Sequence, residues 1–452
     1  MVFYGGKFLV LGLSKSGIAA SKLLLSHGAT VYVYDQFISS RIKSAQEELS
    51  ACGAICVQKE SLDRVLTAVD TLVLSPGIAI DNSIAVRAHA LKKRIIGELE
   101  LGSYFLQAPA IAVTGTNGKT TTVCMIESIL KCANKETLAL GNVGVPLCKK
   151  VESLSRSGVA VIEVSSFQME TTRSFVPHIA CLTNITEDHL NRHYTMANYV
   201  YLKKRLFLNL RESEYAVLNA ECPYSGEVAE ATKAKILYFS TSRQTNGAYV
   251  TGGKIYYDSE FLFTEETLAL KEKHNVENAL CAITAAKAFG VENEAIRSAL
   301  SSFRGARHRM EFVACKKGVS YVNDSKATNT DAALAAARCM KRPTIMLLGG
   351  SDKGYSFREF FIALKETSVR YVVLYGENRE RLARECVEVG YTAYSLVENL
   401  RQATIVASTV AKAGETILLS PASASFDEFS GYDERGECFI QYVNGDTDWK
   451  EK

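Results

Sequence analysis

The chain has 452 residues, more than a single hydrophobic core sustains, so two to four domains are expected. Hydrophobic residues make up 47% and charged residues 22%, the balance of a folded globular protein, which argues against an intrinsically disordered chain. The formal charge is only +3 and no Lys/Arg block stands out, so bulk electrostatics give no support to nucleic-acid or anionic-membrane binding.

Twelve cysteines are scattered along the chain. The closest pair is Cys52 and Cys56, and no Cys-x-x-Cys occurs, so they read as free thiols in a reducing compartment. No apolar run reaches membrane-spanning length. The opening stretch "MVFYGGKFLVLGLS" runs straight into a strand-and-turn pattern rather than a signal peptide. The expectation is a cytoplasmic monomer with no membrane and no nucleic-acid partner.

Residues 7–36 read as strand, glycine turn, helix and strand. The apolar run Phe8–Leu11 is a buried strand, and "TVYVYD" is the next one, ending in Asp35. Gly12 and Gly17 keep the outer spacing of a dinucleotide fingerprint, but Ser14 stands where the middle glycine would be. That hinders backbone approach to a dinucleotide pyrophosphate. A different nucleotide, or an ordinary tight turn, suits the stretch equally. "DTLVLSPGI" repeats the strand-then-turn idea, and this first alternating region closes near Leu106.

A second alternating region opens with the strand Ala110–Thr114 and the loop "GTNGKTT". The standard phosphate loop, G-x-x-x-x-G-K-[ST], would put its first glycine at Val113. Even so, a strand before the loop and the apolar helix "VCMIESIL" after it are the context a phosphate loop requires. Amides at the helix N-terminus meet phosphates and Lys119 neutralises charge between them. Thr120 offers a hydroxyl to Mg²⁺.

Glu163 closes the strand "VAVIEV", where a metal-ligating carboxylate or a solvated strand end would each sit. "NITEDHLNRH" gathers Asn184, Asp188, His189 and His193; His189 alone reads either as a ligand or as a satisfied structural histidine. Lys203 and Lys204 are adjacent in a helical pattern. Neighbours on a helix differ by about 100° in direction, so at most one shares a given inward direction, and pattern alone does not choose. Residues 214–270 look β-rich and irregular.

A third region opens near "FRGARHRMEF". Three loops follow apolar strands there: "NDSKATN", with Asp324, Lys326 and Thr328; "GGSDKG", with Lys353; and "SPASASFDEFSGY". On a doubly wound sheet they would cluster at the strand C-termini, where ligands bind. Two lysines and several hydroxyls suit a small anion. The fold class expected is therefore α/β in three domains: a Rossmann-like domain over 1–106, a central phosphate-loop domain with a parallel sheet over 107–303, and a Rossmann-like doubly wound domain over 304–452.

Taken together, "TGTNGKT", "EVSSFQ", "NITEDH", "HNVEN", "RHRMEF" and "NDSKATN" resemble the ATP-dependent Mur ligases of peptidoglycan synthesis. They come in family order along the chain. The Mur phosphate loop also lacks the first glycine. "LGLSKSG", "LSPGI", "GNVGVP", "SSFQ" and "LLSPASASFDEF" liken the chain to the D-glutamate-adding branch, and the Asp-x-x-Arg-type motif of lysine- or diaminopimelate-adding relatives is not found.

The resemblance implies an amide ligase that adds D-glutamate to UDP-N-acetylmuramoyl-L-alanine through an acyl phosphate, using ATP and Mg²⁺ at two sites. It implies that Gly115, Thr116, Asn117, Gly118, Lys119, Thr120 and Thr121 hold the ATP phosphates, with Asn278, Arg309 and Asp324 as further ATP contacts. Thr120 and Glu163 would ligate one metal ion, and His189 a second beside a carbamylated Lys203. Lys119, Glu163, His189 and Lys203 are the catalytic set. Ser14, Lys15, Ser16, Asp35, Gln36, Ser75 and Gly77 would hold the uridine diphosphate, with Asn142 and Ser165 at the muramoyl-alanine end. Lys326, Thr328, Lys353, Ser425 and Tyr432 would bind D-glutamate; the family often has phenylalanine at the place of Tyr432. Folate-type relatives normally start at the phosphate loop, so the N-terminal βα region argues against them. A non-catalytic nucleotide sensor would not need Lys119, Glu163, His189 and Lys203 together.

Overall fold

A computed structural model describes residues 3–37, 39–142, 145–305, 307–352, 354 and 356–445. The first sheet is built from β1 (Lys7–Leu11), β2 (Thr30–Tyr34), β3 (Ile55–Cys56), β4 (Thr71–Leu74) and β5 (Arg94–Gly97), in the order β3-β2-β1-β4-β5, all parallel. The order in which strands are added reverses between β1 and β4, the switch point beyond whose C-terminal ends such sheets bind ligands. Phe8 to Leu11 and Leu72 to Leu74 are buried, as expected for strands covered on both faces.

The second sheet holds β6 (Ala110–Thr114), β7 (Thr137–Gly141), β8 (Val159–Glu163), β9 (Ile179–Leu182), β10 (Tyr215–Asn219) and β11 (Lys235–Phe239), in the order β11-β10-β9-β6-β8-β7. Its central strand, β6, is buried along its whole length and feeds the helix Lys119–Cys132. The irregular stretch expected over 214–270 resolves into β10, β11 and a small antiparallel sheet, β12 (Ala248–Thr251), β13 (Lys254–Tyr257) and β14 (Glu260–Thr264).

The third large sheet contains β15 (Glu311–Lys316), β16 (Val319–Asn323), β17 (Thr344–Gly349), β18 (Val369–Tyr375), β19 (Tyr394–Leu396) and β20 (Thr416–Leu419), in the order β15-β16-β20-β17-β18-β19. Only the edge strand β15 is antiparallel. β20 inserts between β16 and β17, so the loops that leave these three strands lie side by side at one edge. The α/β architecture with parallel sheets in three regions is the one the alternating sequence pattern predicts.

The chain forms two compact units, one up to Phe303 and one from Arg304. The first contains both N-terminal and middle sheets because they share apolar packing. One cluster runs from Phe8, Val10 and Val33 through Leu99, Leu101 and Leu147 to Ile162, Leu182 and Leu218. Among the described residues no helix is long and apolar enough to cross a membrane. None of the twelve cysteines is in a disulfide, and four, Cys52, Cys132, Cys315 and Cys339, are exposed.

Candidate active site

The loop after β6 needs two glycines in the left-handed region. Gly115 has φ 149° and Gly118 has φ 83°. A Cβ on Gly115 would lie 1.9 Å from Thr183 Oγ1, and one on Gly118 2.1 Å from Asn278 Oδ1, so conformation and crowding both demand glycine. Val113, in contrast, is a buried strand residue; the turn begins two residues later than in a standard phosphate loop. The loop is pinned from beside it: Thr116 N and Asn117 N donate to Asn184 O and Oδ1 at 2.8 and 2.9 Å. Thr183 Oγ1 donates to Asn117 O at 2.6 Å. Lys119 Nζ folds back to Gly115 O and Thr116 O at 3.0 and 2.8 Å, the position of a cation that serves whatever the loop cradles.

Behind the loop, Thr120 Oγ1 donates to Glu163 Oε2 at 2.7 Å, and Asn142 Nδ2 donates to Glu163 Oε1 at 2.7 Å. Thr120 and Glu163 are both buried. A hydroxyl and a carboxylate in contact at a phosphate loop form a hard oxygen donor set, and it fits Mg²⁺. Among the described residues no group of three or more His, Cys, Asp or Glu side chains is arranged to hold a metal ion.

The helix Met196–Leu208 settles the orientation of its two lysines. Lys203 is 1% exposed, and its Nζ donates to Gly115 O at 2.5 Å and sits 4.4 Å from the centre of the Tyr199 ring. Lys204 points out and pairs with Glu227. Burial, reinforced by the neighbouring Lys119 charge, holds the Lys203 amine well below the usual lysine range.

The two histidines of "DHLNRH" also separate. His193 is buried, shares a hydrogen bond with Ser166 Oγ at 2.9 Å and stacks on Tyr199; burial pushes it down to about 4, so it is a neutral structural group. His189 stays half exposed in a left-handed conformation with φ 53° at the start of the helix Leu190–His193. Its ring centre is 6.4 Å from that of Tyr199, and it too is lowered, chiefly by burial.

At the N-terminal crevice, Ser14, Lys15 and Ser16 start the helix Lys15–Ser26, and Gln36 and Gly77 are exposed. Asp35, expected as a contact to the uridine diphosphate, accepts from Leu13 N at 2.7 Å and Phe37 N at 2.9 Å, so its carboxylate braces the backbone of the glycine turn and of the end of β2. Ser75 Oγ donates to Gly12 O at 2.7 Å. A Cβ on Gly17 would fall 1.9 Å from Gly12 O, which explains the outer glycine pair even without the middle one. Ser165 caps the helix Ser166–Met169 in a reciprocal box with Gln168.

Arg192 escaped the sequence reading. Its guanidinium forks onto Glu170 at 2.9 and 2.7 Å, donates to Ile78 O at 3.0 Å and lies 4.9 Å from the centre of the Phe167 ring. It thereby ties the loop carrying His189 to the Ser75–Gly77 turn; its position three residues after His189 was the only signal.

In the unit from Arg304, Asp324 is buried. Its carboxylate accepts from Ser420 Oγ at 2.7 Å and Met310 N at 3.2 Å, and burial raises it to about 6. Arg309 is exposed nearby. Lys326 Nζ lies 5.9 Å from the centre of the Tyr432 ring. Thr328 is half-buried in the same loop, and Ser425 Oγ is buried with no hydrogen-bond partner among the described residues. Lys353 lies outside the described residues. The middle-domain helix Lys273–Ala288 places Asn278 against the phosphate loop, with Thr122 Oγ1 at 3.4 Å from its Oδ1. Arg435, on the helix Tyr432–Asn444, and His308, in a turn, are both buried and were also missed; nothing in the local pattern marks either as inward-facing.

Sequence profiles of three domains match in order: the Mur ligase MurD-like N-terminal domain over 6–97, the Mur ligase middle domain over 113–286 and the Mur ligase glutamate ligase domain over 308–423. The UDP-N-acetylmuramoylalanine–D-glutamate ligase of Caldanaerobacter subterraneus subsp. tengcongensis is 38% identical over 440 residues, 97% of this chain and 98% of that one. The protein of the same name from Pelotomaculum thermopropionicum is 39% identical over 449 residues, 97% of each chain. The chain belongs to the Mur ligase family. Among solved structures, UDP-N-acetylmuramate-alanine ligase MurC from Thermotoga maritima superposes with a TM-score of 0.59 at 18% identity, covering 97% of this chain and 99% of that one. MurF from Acinetobacter baumannii gives 0.58 at 18% identity, covering 95% and 93%. At that identity the likeness is one of fold.

Proposed function

We propose that this chain is an ATP-dependent amide ligase that joins D-glutamate to UDP-N-acetylmuramoyl-L-alanine in cytoplasmic peptidoglycan precursor synthesis, acting as a monomer. The observation that carries the reading is the convergence at one phosphate loop of Lys119, the Thr120–Glu163 pair and the buried Lys203 amine. The names of the relatives supply the amino acid. We place domain boundaries after 106 and 303, with uridine diphosphate bound at the first crevice, ATP at the phosphate loop and D-glutamate at the loops after β16, β17 and β20.

A carboxylate does not condense with an amine at neutral pH. Transfer of the ATP γ-phosphoryl group to the alanyl carboxylate makes an acyl phosphate; the D-glutamate amine then attacks the carbonyl carbon, and phosphate leaves with the C–O bond's electrons. Lys119 and the amides of 115–121 bind the phosphates and stabilise charge that builds up during transfer. Thr120 and Glu163 would hold one Mg²⁺, and His189 with a carbamylated Lys203 a second. Mg²⁺, when bound, neutralises phosphoryl oxygens and orients them.

Burial of Lys203 favours carbamylation. A neutral amine is the form that attacks CO₂; the new N–C bond costs the amine a proton and leaves an anion beside Lys119, where a buried cation would be costly. Asn142 and Ser165 would contact the muramoyl-alanine end.

Steady-state ADP release tests the reading. Turnover should require UDP-N-acetylmuramoyl-L-alanine and D-glutamate together, and L-glutamate should not substitute. Turnover indifferent to D-glutamate would sink it.

A further inference from the structure

In the unit from Arg304, one fully buried cation touches the loops assigned to the amino-acid subsite. Arg435 lies one turn after Tyr432 on the helix Tyr432–Asn444 and is 0% exposed. Its Nε donates to Ser325 Oγ at 2.9 Å, Nη2 to Ser325 O at 2.8 Å and Nη1 to Ser423 O at 3.0 Å. Ser325 precedes Lys326, and its hydroxyl donates in turn to Tyr432 O at 2.7 Å. Ser423 stands two residues before Ser425.

The loop after β17 is held to the same centre. A Cβ on Gly350 would lie 3.2 Å from Arg435 Nη1 and 2.1 Å from Ala424 O. Ser351 N donates to Ala424 O at 2.9 Å. Asn378 joins the two loops, donating to Ser423 Oγ at 2.9 Å and accepting from Gly350 N at 3.1 Å.

Arg435 makes no ion pair within 4.0 Å among the described residues; Asp427 and Glu428 act on it only through space. A buried guanidinium without a direct counter-ion is expensive, and its hydrogen bonds to carbonyl and hydroxyl oxygens offset that cost only while the fork geometry is kept. The Ser423 carbonyl it binds stands two residues before Ser425, whose buried hydroxyl lacks a partner among the described residues.

We propose that Arg435 is the positioning residue of the amino-acid subsite: one guanidinium holds the loops after β16 and β20, with the β17 loop zipped beside them, so that Lys326, Thr328 and Ser425 meet the carboxylates of a dicarboxylic amino acid. The assignment rests on the reading of those loops as the D-glutamate subsite. Arg435 does not touch the substrate.

The test is a steady-state comparison of wild type, Arg435→Lys and Ser325→Ala, with KM measured separately for D-glutamate, ATP and the UDP-linked substrate. Lysine keeps the charge but not the fork. Arg435→Lys should raise the KM for D-glutamate at least about tenfold and leave the other two KM values within about twofold. Ser325→Ala keeps the charge and the packing but removes the hydroxyl between Arg435 and Tyr432. It should raise the D-glutamate KM by about threefold or more. Equal shifts in all three KM values, or an unchanged D-glutamate KM in folded Ser325→Ala, would overturn the assignment. Wild-type turnover that ignores D-glutamate would instead overturn the subsite reading beneath it.

Discussion

Lys203 and Lys204 are adjacent in sequence and opposite in environment. One is buried against Gly115 O and Tyr199, the other spans the surface to Glu227. Helical geometry guarantees that such neighbours diverge, but the direction of divergence depends on where the helix docks, which no single-residue pattern encodes. Lys203→Ala should lower turnover at least about a hundredfold, with partial recovery on adding a short carboxylate that restores an anion beside Lys119. Lys204→Ala should stay near wild type, because an exposed pair contributes little. A dead Lys204 variant and an active Lys203 variant would shift the assignment by one residue. His189 and His193 show the same limit: both were visible as candidates, and only burial separates the structural ring from the half-exposed one.

At the scale of elements, the phosphate loop was the most legible feature, because strand, glycine turn and helix follow one another in sequence and need no distant partner to be recognised. What the sequence hid was the crowding. Gly118 adopts φ 83°, and a Cβ there would stand 2.1 Å from Asn278 Oδ1, a residue 160 positions away. Gly118→Ala therefore pays a left-handed backbone cost of about 1–2 kcal/mol and also displaces Asn278. The expected result is loss of the ATP-induced rise in melting temperature; an ATP shift equal to that of wild type would show that the loop tolerates the methyl group. The tie between Arg192 and the Pro76–Ile78 carbonyls was invisible for a related reason: it joins a helix start to a turn from a different sheet.

At the scale of the molecule, alternating strands and helices announced three sheets, since buried parallel strands are written as short apolar runs. That two of these sheets share one apolar cluster was not announced, because periodicity says which residues are buried and not against what. Glu98 lies on that seam. It is buried, accepts from Cys148 N at 2.6 Å, and burial raises it to about 7. A carboxyl raised in the folded state binds more protons than its unfolded counterpart between about pH 4.5 and 7, so its contribution is fully present below that window and is lost as pH rises through it. The loss is about 3 kcal/mol at most. Glu98→Gln keeps the acceptor for Cys148 N and cannot ionise. Its melting temperature should exceed that of wild type by a margin that grows from pH 5 to pH 8. A margin independent of pH would contradict the assignment.

The wiring of the sheets also sorts the surface thiols. Cys52, Cys132 and Cys339 each stand at the C-terminal end of a helix that begins after the loop leaving one strand and returns to the start of the next. Cys315, on the antiparallel edge strand, pairs with Ser320 near the beginning of β16. All four therefore sit at the strand-entry edge of their sheets, about one strand length, or roughly 16 Å, from the edge that carries the loops. The fold supplies ready-made attachment points for dyes, spin labels or surface tethers, each at the edge of its own sheet opposite the loops that leave the strands.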